Sequence, residues 1–243
     1  MNYKNLQLAP WQYEISNQIC NLIGEILTPN WDSRLLGLSN LPIKTILDIG
    51  ANNGQFAKKI SKIFPSATIY AFEPVPLAFD KLKKWADKQD ERVKVFQLAL
   101  GDENRELEMN VHKLFSASSS FLSTTELLES KYPITQNQEQ IIVSQKKLDE
   151  VPIANGENLR ADILIKLDVQ GYEEKVIKGG REIFRQAKGC IVEVSLDMLY
   201  EGQATFKDIF SLLSNLGYEY KGNIDQVSDR DGHIIFFNAV FIK

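Results

Sequence analysis

The first residues that could do chemistry lie in the run DIGANNG at positions 48–54, which combines an acid, two glycines and two asparagines. Glycines let a backbone approach a ligand closely, and a helix start offers unpaired N–H groups with a positive dipole end. The spacing is G-x-x-x-G, whereas sites that bind a pyrophosphate use G-x-G-x-x-G. An acid before the glycines suits a ligand with an ammonium group and no phosphate. The alternative is a tight strand-to-helix turn that binds no ligand, since such a turn would have a similar sequence. We assign cofactor binding to Asp48, Gly50, Asn52, Asn53 and Gly54.

A second acid, Glu73, lies in the segment AFEPVP, 25 residues after Asp48. A carboxylate at the end of the second strand of a parallel sheet can accept both ribose hydroxyls of an adenosine. The prolines at 74 and 76 would end the strand sharply and hold Glu73 at the crevice. The alternative is a solvated glutamate at a strand end. We favour ribose binding, with Pro74 beside Glu73 in the same site.

A third turn, ALGD at positions 99–102, follows another apolar segment. Asp102 could accept the adenine amino group, and Leu100 could lie against the adenine ring. A plain Gly-Asp turn is the alternative. Leu100 and Asp102 are therefore candidate cofactor contacts.

Two acids at later strand ends could carry the reaction: Asp168 in KLDVQG and Glu193 in IVEVS. Lys166 and Asp168 share one face of a strand, and Asp168 falls where a reactive group and its acceptor would meet. Lys166 and Asp168 are thus candidate catalytic residues, and Asp168 is also a candidate cofactor contact. Asp168 and Glu193 could bind a divalent cation such as Mg²⁺, or bind acceptor hydroxyls directly. The alternative for Lys166 is a structural role, as a buried lysine that only pairs with a neighbouring carboxylate.

His112 lies close to the Ser/Thr-rich run SASSSFLSTT, and it could act as a general base. A single histidine in a hairpin is more often structural. We keep His112 as a candidate catalytic residue, with the structural role as the alternative.

Alternating strands and helices must position these residues. Short apolar, β-branched segments predict buried strands, and apolar residues at helical spacing predict the helices between them. The predicted strands are 43–49, 67–72, 93–98, 163–167, 190–194, 218–220 and 234–242, and the predicted helices are 53–64, 77–85, 173–178 and 206–216. This alternation is typical of a doubly wound α/β sheet.

Two regions depart from this alternation. Residues 11–28 have apolar residues at helical spacing, which predicts an N-terminal helical extension over 1–41 and a main domain over 42–243. Within the main domain, about 103–146 has two alternating stretches, 107–111 and 141–145, around the Ser/Thr-rich run. We predict a hairpin-like insertion around a loop, which is either functional or a plain surface insertion.

Composition limits the classes of partner. The 243 residues are 44% hydrophobic and 25% charged, with a net charge of −4. This charge does not indicate a nucleic-acid partner, because proteins that bind nucleic acids usually carry a basic stripe. Cys20 and Cys190 form no CxxC pair, which argues against zinc and for a reducing compartment. The N-terminus lacks the pattern of a signal peptide, and no apolar segment is long enough to cross a bilayer. We expect a soluble, cytoplasmic protein with no nucleic-acid or membrane partner.

Six segments together resemble the FkbM family of methyltransferases, and they occur in the family's order between residues 46 and 195: ILDIGANNGQFA, YAFEPVP, LALGD, SSSFL, ILIKLDVQGYEEKVIKGG and IVEVS. The resemblance implies a Rossmann-like class I methyltransferase fold of the α/β class. Such a fold has a mostly parallel seven-stranded sheet, helices on both faces and a reversed C-terminal hairpin. It also implies S-adenosylmethionine as cofactor, bound by the DIGANNG turn and Glu73. The family usually has Glu where this chain has Gln170.

The family acts mostly on hydroxyl oxygens, so the resemblance implies O-methylation of a small-molecule hydroxyl acceptor, a sugar or a natural product. Two alternatives stay open. A non-catalytic module would bind the cofactor or a partner and methylate nothing. A nicotinamide-dependent reductase is disfavoured, because the sequence lacks both G-x-G-x-x-G and a Tyr-x-x-x-Lys pair. The N-terminal helix could cover the site, pair two subunits into a homodimer, or pack on the sheet.

Overall fold

The computed structural model describes residues 35–112, 116–153, 159 and 161–243. The chain divides into two compact units, Met1–Arg34 and Leu35–Lys243. The predicted helix at 11–28 and Cys20 lie outside the described residues, so the expected extension over 1–41 stays a prediction.

Ten strands form two sheets in the described part of the chain. In chain order they are β1 Thr45–Ile49, β2 Thr68–Phe72, β3 Val93–Phe96, β4 Ala99–Leu100, β5 Arg105–His112, β6 Gln138–Lys146, β7 Ile163–Leu167, β8 Gly189–Ser195, β9 Glu219–Ser228 and β10 Ile234–Ile242. The larger sheet has the order β3-β2-β1-β7-β8-β10-β9. Its first five strands are parallel, and β10 runs antiparallel to both β8 and β9. This confirms the predicted class I methyltransferase fold.

The strand order reverses between β1 and β7, because the chain first builds outward through β2 and β3 and then returns to the other side of β1. Both central strands are buried along their whole length, as their apolar sequences require. In an open parallel sheet the loops diverge at such a switch point and leave a crevice at the carboxyl ends of the strands. The crevice here therefore lies beyond the ends of β1 and β7.

Six α-helices accompany the strands between residues 35 and 243, as far as the structure describes them: α1 Gln55–Ile63, α2 Pro76–Ala86, α3 Glu126–Lys131, α4 Glu173–Gly179, α5 Arg181–Gln186 and α6 Phe206–Asn215. Alternate residues of a strand point to opposite faces, and β2 shows both faces covered. Tyr70 and Phe72 pack in the cluster that contains residues of α4, α5 and α6. Ala71, on the opposite face, packs against Leu82 of α2.

Helix α5 is absent from the sequence-based prediction, which placed no helix between residues 178 and 206. The chain turns at Gly180 and starts a new helix at once. The carboxylate of Asp149 accepts the backbone N–H groups of Glu182 and Ile183, each at 3.0 Å. These N–H groups have no partner within a helix, and their cap comes from a residue more than 30 positions away, where local sequence gives no signal.

The insertion supplies two strands, β5 and β6, of a second, small sheet with the order β4-β6-β5. Strands β5 and β6 pair antiparallel over the whole of β5, and both strands are longer than the stretches 107–111 and 141–145. The connection between them holds the short helix α3 where the sequence predicted only a loop. The Thr125 hydroxyl caps that helix by accepting the backbone N–H of Leu128 at 3.3 Å.

The last two strands close the sheet as a long hairpin. Strand β9 runs ten residues, well beyond the predicted 218–220, and pairs with β10 along its length with several irregularities. Cys190 on β8 is fully buried and free. Among the helices that the structure describes, none combines the length and the apolar character that crossing a membrane needs.

Candidate active site

A cavity of about 250 Å³ lies at the carboxyl ends of β1, β2 and β7. This is the position that the reversed strand order predicts for a ligand. Most of the site residues predicted from sequence line it: Asp48, Gly50, Asn52, Glu73, Pro74, Leu100, Lys166 and Asp168. Residues that are distant in sequence thus converge on one space, which is many times larger than the roughly 15 Å³ that one water needs.

The loop after β1 has the tight geometry that its glycines suggested. Gly50 has φ +79°, in the left-handed region, and a Cβ placed there would lie 1.8 Å from the backbone oxygen of Asp168. Any side chain at position 50 would therefore collide with the loop after β7. The N–H groups of Gly50 and Ala51 both donate to the carbonyl of Phe72, at 3.1 and 3.0 Å. The loop is thereby held against both neighbouring strands at the cavity.

Glu73 is buried at the end of β2, and both of its carboxylate oxygens accept backbone hydrogen bonds. Oε2 accepts the N–H of Asn52 and Oε1 accepts the N–H of Val75, each at 2.8 Å. A carboxylate has about four acceptor positions, so capacity remains for two ligand hydroxyls. Burial raises the pKa of Glu73 to about 7, although the two backbone hydrogen bonds act in the opposite direction and lower it.

Asp48 is also buried in the cavity wall. Burial raises its pKa to about 7, and the Lys166 ammonium opposes that shift. Among the described residues, no group donates a hydrogen bond to its Oδ2 atom. A buried acceptor without a partner is uncommon in native structures and calls for an explanation, which a ligand with N–H groups in the cavity would supply.

Lys166 and Asp168 interact as their shared strand face predicted. The Lys166 Nζ lies 3.2 Å from Asp168 Oδ2, with the lysine side chain 8% exposed and the aspartate side chain 29% exposed. Burial lowers the pKa of Lys166, but the carboxylates of Asp168, Glu193 and Asp48 more than offset this and raise it. Lys166 is therefore a buried cation that holds Asp168, whose own carboxylate can be reached from the cavity.

Gln170 continues this network. Its Nε2 donates to Asp168 Oδ1 at 2.8 Å and to Glu193 Oε1 at 2.7 Å. Its Oε1 accepts the hydroxyl of Tyr200 at 2.8 Å. Burial and the nearby Asp168 raise the pKa of Glu193 well above its ordinary value.

The Ser/Thr-rich run covers the cavity. We call residues 116–122 the cover segment. Ser116 Oγ donates to Asn52 Oδ1 at 3.2 Å, and Ser120 Oγ donates to the backbone carbonyl of Gln170 at 2.7 Å. The Tyr200 hydroxyl also approaches the Ser118 carbonyl, at 2.9 Å. Ser116, Ala117, Ser119 and Phe121 line the cavity, so the insertion forms part of the site.

Five of the predicted residues are absent from the lining of this cavity: Asp102, Asn53, Gly54, His112 and Glu193. Asp102 is absent from its lining and pairs with Lys175 Nζ at 3.0 Å, so the predicted adenine contact has no support here. Asn53 and Gly54 also lie outside the lining, and Gly54, with φ +80°, forms the turn into α1 instead.

His112 is likewise outside the cavity that holds Asp168, which corrects its candidate role as a general base. It is buried beneath the cover segment, where its Nδ1 lies 2.8 Å from Ser118 Oγ and 3.0 Å from the Ser118 carbonyl. Burial lowers its pKa. His112 lines a second cavity of about 230 Å³, and the structural alternative for this residue fits its surroundings.

The predicted Mg²⁺ site at Asp168 and Glu193 is not supported. An amide nitrogen of Gln170 stands between the two carboxylates and donates to both. The described residues contain no group of three or more His, Cys, Asp or Glu side chains placed to hold a metal ion. The donor set at Asp168 therefore fits hydrogen bonding and does not fit metal ligation.

The residues that support Asp168 and the cover segment were not among the predicted site residues. Ser120 lies in the Ser/Thr-rich run and Gln170 lies in KLDVQG, so composition and position marked both neighbourhoods without indicating any contact. Tyr200 carries no signal at all in the sequence around it. Its hydroxyl reaches the site only because the loop between β8 and α6 folds back over the strand ends.

The cavity fits adenosylmethionine better than a phosphate-bearing cofactor. Three carboxylates line it, those of Asp48, Glu73 and Asp168, and among the described lining residues Lys166 is the single cation. Adenosylmethionine carries a sulfonium, an ammonium and one carboxylate, hence a net positive charge. A dinucleotide would bring a pyrophosphate against the acids. Asp48 and the β1 loop would hold the methionine portion, Glu73 the ribose, and Leu100 the adenine.

Comparison with known proteins agrees with this geometry. The sequence profile of the methyltransferase FkbM domain matches residues 48–220. The 2-O-methyltransferase NoeI of Sinorhizobium fredii is 31% identical over 186 residues, which cover 74% of this chain and 75% of NoeI. The 31-O-demethyl-FK506 methyltransferase FkbM of Streptomyces tacrolimicus is 27% identical over 164 residues, covering 59% of this chain and 62% of that protein.

A solved structure shows the same fold. The crystal structure of methyltransferase FkbM from Methylobacillus flagellatus matches with a TM-score of 0.52 at 11% identity, over 96% of this chain. The match spans 61% of that longer chain. The profile match covers well over half of the sequence and includes the cavity loops. The chain therefore belongs to the FkbM family of adenosylmethionine-dependent methyltransferases.

Proposed function

We propose that the protein transfers the methyl group to a hydroxyl oxygen of a small, uncharged acceptor, a sugar or a natural product. The observation that carries the proposal is Asp168, the acid in the cavity wall whose carboxylate is partly exposed and held by two donors. The names of two relatives, a 2-O-methyltransferase and a 31-O-demethyl-FK506 methyltransferase, support oxygen as the methylated atom.

Asp168 has the geometry of a residue that orients a hydroxyl. Lys166 engages Oδ2 and Gln170 engages Oδ1, so the carboxylate cannot rotate freely, while 29% of the side chain stays exposed. When bound, adenosylmethionine supplies the activated methyl group. Transfer would form a bond between the acceptor oxygen and the methyl carbon, and the electron pair of the broken carbon–sulfur bond would stay on sulfur. Asp168 orients the hydroxyl and accepts the proton that it loses.

The character of the cavity favours an uncharged acceptor. Its acids would repel phosphate or carboxylate groups, and the cover segment contributes both hydroxyl and apolar surface through Ser116, Ser119 and Phe121. Hydroxyl groups suit the polar positions of a sugar, and an aromatic ring suits its apolar face or the carbon skeleton of a natural product. The acceptor would thus lie between the cover segment and Asp168.

Two experiments test this proposal. Calorimetric titration should show micromolar binding of adenosylmethionine and no binding of NADH. Methyl transfer from labelled adenosylmethionine should then be measured against neutral sugars, amino sugars, polyhydroxylated natural products, carboxylic acids and thiols. Mass spectrometry of the product locates the methyl group. Methylation on oxygen supports the proposal, and transfer only to nitrogen, sulfur or a carboxylate overturns it.

Asp168→Asn separates catalysis from binding. We expect kcat to fall about 100-fold or more with cofactor Kd changed less than about threefold, since the general base contributes roughly 10²–10⁴-fold. Equal losses in kcat and in cofactor affinity would exclude the proposed role of Asp168. A protein that binds adenosylmethionine tightly but methylates no acceptor in the panel would favour the non-catalytic alternative.

A further inference from the structure

Gln170 lies between two acidic side chains that come from neighbouring strands. Asp168 follows β7 and Glu193 lies on β8, and the two strands pair in parallel. The two N–H groups of the Gln170 amide are both used, one by each carboxylate, at 2.8 and 2.7 Å. A primary amide has two N–H donors, so the side chain has no donor left for any other group.

The orientation of this amide is set from the opposite side. The hydroxyl of Tyr200 donates to Gln170 Oε1 at 2.8 Å, and Ser120 Oγ donates to the Gln170 backbone carbonyl at 2.7 Å. Rotation of the amide by half a turn would place its oxygen against two carboxylates and its nitrogen against a hydroxyl donor. The Asp168 carboxylate, which also pairs with the Lys166 ammonium, therefore favours the orientation in which the amide nitrogen faces it.

The backbone of Gln170 is also held in an unusual conformation. Its φ is +54°, in the left-handed region, which costs a non-glycine residue about 1 kcal/mol or more. Such a conformation persists only where the surroundings determine it. The glutamine is kept here by contacts from the cover segment, from β8 and from the Tyr200 loop.

Two carboxylates that face each other at adjacent strand ends repel unless a proton, a cation or a hydrogen-bond donor lies between them. In this protein the group between them is a neutral amide. The second oxygen of Asp168, Oδ2, is engaged by Lys166 at 3.2 Å. Asp168 is thus held on both oxygens by side chains of its own chain, and the position that a metal would occupy is taken by the amide nitrogen.

We propose that Gln170 is a positioning residue that holds the Asp168 carboxylate through its side-chain amide, in place of a divalent cation, so that methyl transfer needs no metal. The assignment rests on the proposed role of Asp168 in orienting the acceptor. Gln170 acts through Asp168 and Glu193.

Two substitutions test the donor role. Gln170→Met keeps the length of the side chain and removes both N–H groups. Gln170→Glu replaces the donating nitrogen by an oxygen that faces two carboxylates. Gln226→Met, on the exposed part of β9, is the matched control for the change from glutamine to methionine. The measurements are adenosylmethionine Kd by calorimetry, kcat and KM with an identified acceptor, and the thermal unfolding midpoint.

We expect Gln170→Met to lower kcat about 10- to 100-fold while cofactor Kd stays within about threefold. Gln170→Glu should lower kcat further, and Gln226→Met should leave it unchanged. A merely structural role would lower the unfolding midpoint and the cofactor affinity together, without a difference between the two variants in kcat. A Gln170→Met or Gln170→Glu enzyme with wild-type kcat overturns the proposal.

The proposal that no metal is needed has its own measurements, of which the Mn²⁺ titration requires no acceptor. Wild-type protein is titrated with Mn²⁺ by calorimetry, beside Asp168→Asn, and wild-type turnover is compared before and after EDTA. We expect no Mn²⁺ binding that depends on Asp168 and no effect of EDTA. Mn²⁺ binding that Asp168→Asn abolishes, or turnover that EDTA removes and Mg²⁺ restores, overturns the proposal. The failure of every hydroxyl acceptor would instead overturn the proposed function, and the Mn²⁺ result would still stand.

Discussion

The carboxylate of Glu73 accepts the backbone N–H of Asn52 at 2.8 Å, although the two residues lie 21 positions apart. This hydrogen bond joins the loop after β1 to the end of β2, directly at the cavity wall. The other carboxylate oxygen accepts the N–H of Val75. Glu73 therefore orders two cavity loops and, through its remaining acceptor positions, can hold ribose hydroxyls.

Replacement of Glu73 should weaken cofactor binding. Hydrogen bonds to a charged group contribute about 1.5–3 kcal/mol, so Glu73→Ala should raise the Kd for adenosylmethionine roughly 10- to 100-fold. Glu73→Gln keeps one acceptor oxygen and should have a smaller effect. Glu108→Ala, at an exposed position of β5, is the control. Calorimetry measures all three, and an unchanged Kd in Glu73→Ala would remove Glu73 from the cofactor site.

Gly50→Ala should destabilise the fold much more than an alanine at another left-handed glycine. A Cβ at Gly50 would lie 1.8 Å from the Asp168 backbone oxygen, whereas one at Gly232, with φ +90°, would meet nothing within 4 Å. Gly232→Ala therefore carries only conformational strain, about 1–2 kcal/mol, and Gly50→Ala adds a collision with backbone. Denaturant unfolding compares the two variants. If both variants lost similar amounts of unfolding free energy, the loops after β1 and β7 would be able to move apart freely.

The buried acids make stability depend on pH near neutrality. Burial raises the pKa of Asp48, Glu73 and Glu173 to about 7, from ordinary values of 3.8, 4.5 and 4.5. Between those values and pH 7 the folded state binds more protons than the unfolded chain. The protonated forms of these acids thus contribute to the unfolding free energy, and this contribution is fully present below about pH 4 and is lost as the pH rises through 7. We expect the unfolding free energy to fall between pH 5.5 and 8.

Glu173→Gln tests this dependence. Glu173 lies outside the main cavity and accepts the N–H of Val169 at 2.9 Å, which an amide oxygen can also do. A glutamine does not titrate, so the fall in unfolding free energy from pH 5.5 to 8 should be shallower in the variant. Burial lowers the pKa of His112 and acts in the opposite direction, so the comparison is between the slopes of variant and wild type. Identical slopes would contradict the raised pKa of Glu173.

Ser120 should control how fast the cover segment opens. Its hydroxyl donates to the Gln170 carbonyl and accepts the N–H of Leu122 at 3.0 Å. Loss of such bonds costs about 1 kcal/mol each, so Ser120→Ala should speed cofactor dissociation roughly fivefold or more and increase hydrogen exchange across 116–122. Ser130→Ala is the control, because its hydroxyl bonds only within α3. Stopped-flow measurement showing equal dissociation rates would mean that the cover segment does not limit exit.

Most of the fold could be predicted from the sequence because its signals are local. Strand β7 begins and ends where the apolar run 163–167 predicts, and β10 likewise matches 234–242. Apolar runs form buried strands wherever they are covered on both faces. Helix α5 could not be predicted, since Asp149 caps it from another part of the chain.

The site was predictable only in part, and for a similar reason. A glycine turn after one strand and acids after others must meet at the carboxyl edge of a parallel sheet, so Asp48, Glu73 and Asp168 could be placed together in advance. The direction of an exposed turn is not set by such a rule. Asp102 follows a strand just as Glu73 does, yet its carboxylate turns to Lys175.

The sequence by itself determined the family, the alternation of strands and helices and the set of acids at the strand ends, because each depends on residues that are neighbours in the chain or on the regular geometry of a sheet. Only the tertiary structure decided what holds those acids. The Gln170 amide meets Asp168, Glu193 and Tyr200 across spans of up to 30 residues, and Ser120 reaches Gln170 across 50. Hydrogen bonds between separate loops depend on distances of a few ångströms, which only the packed chain sets.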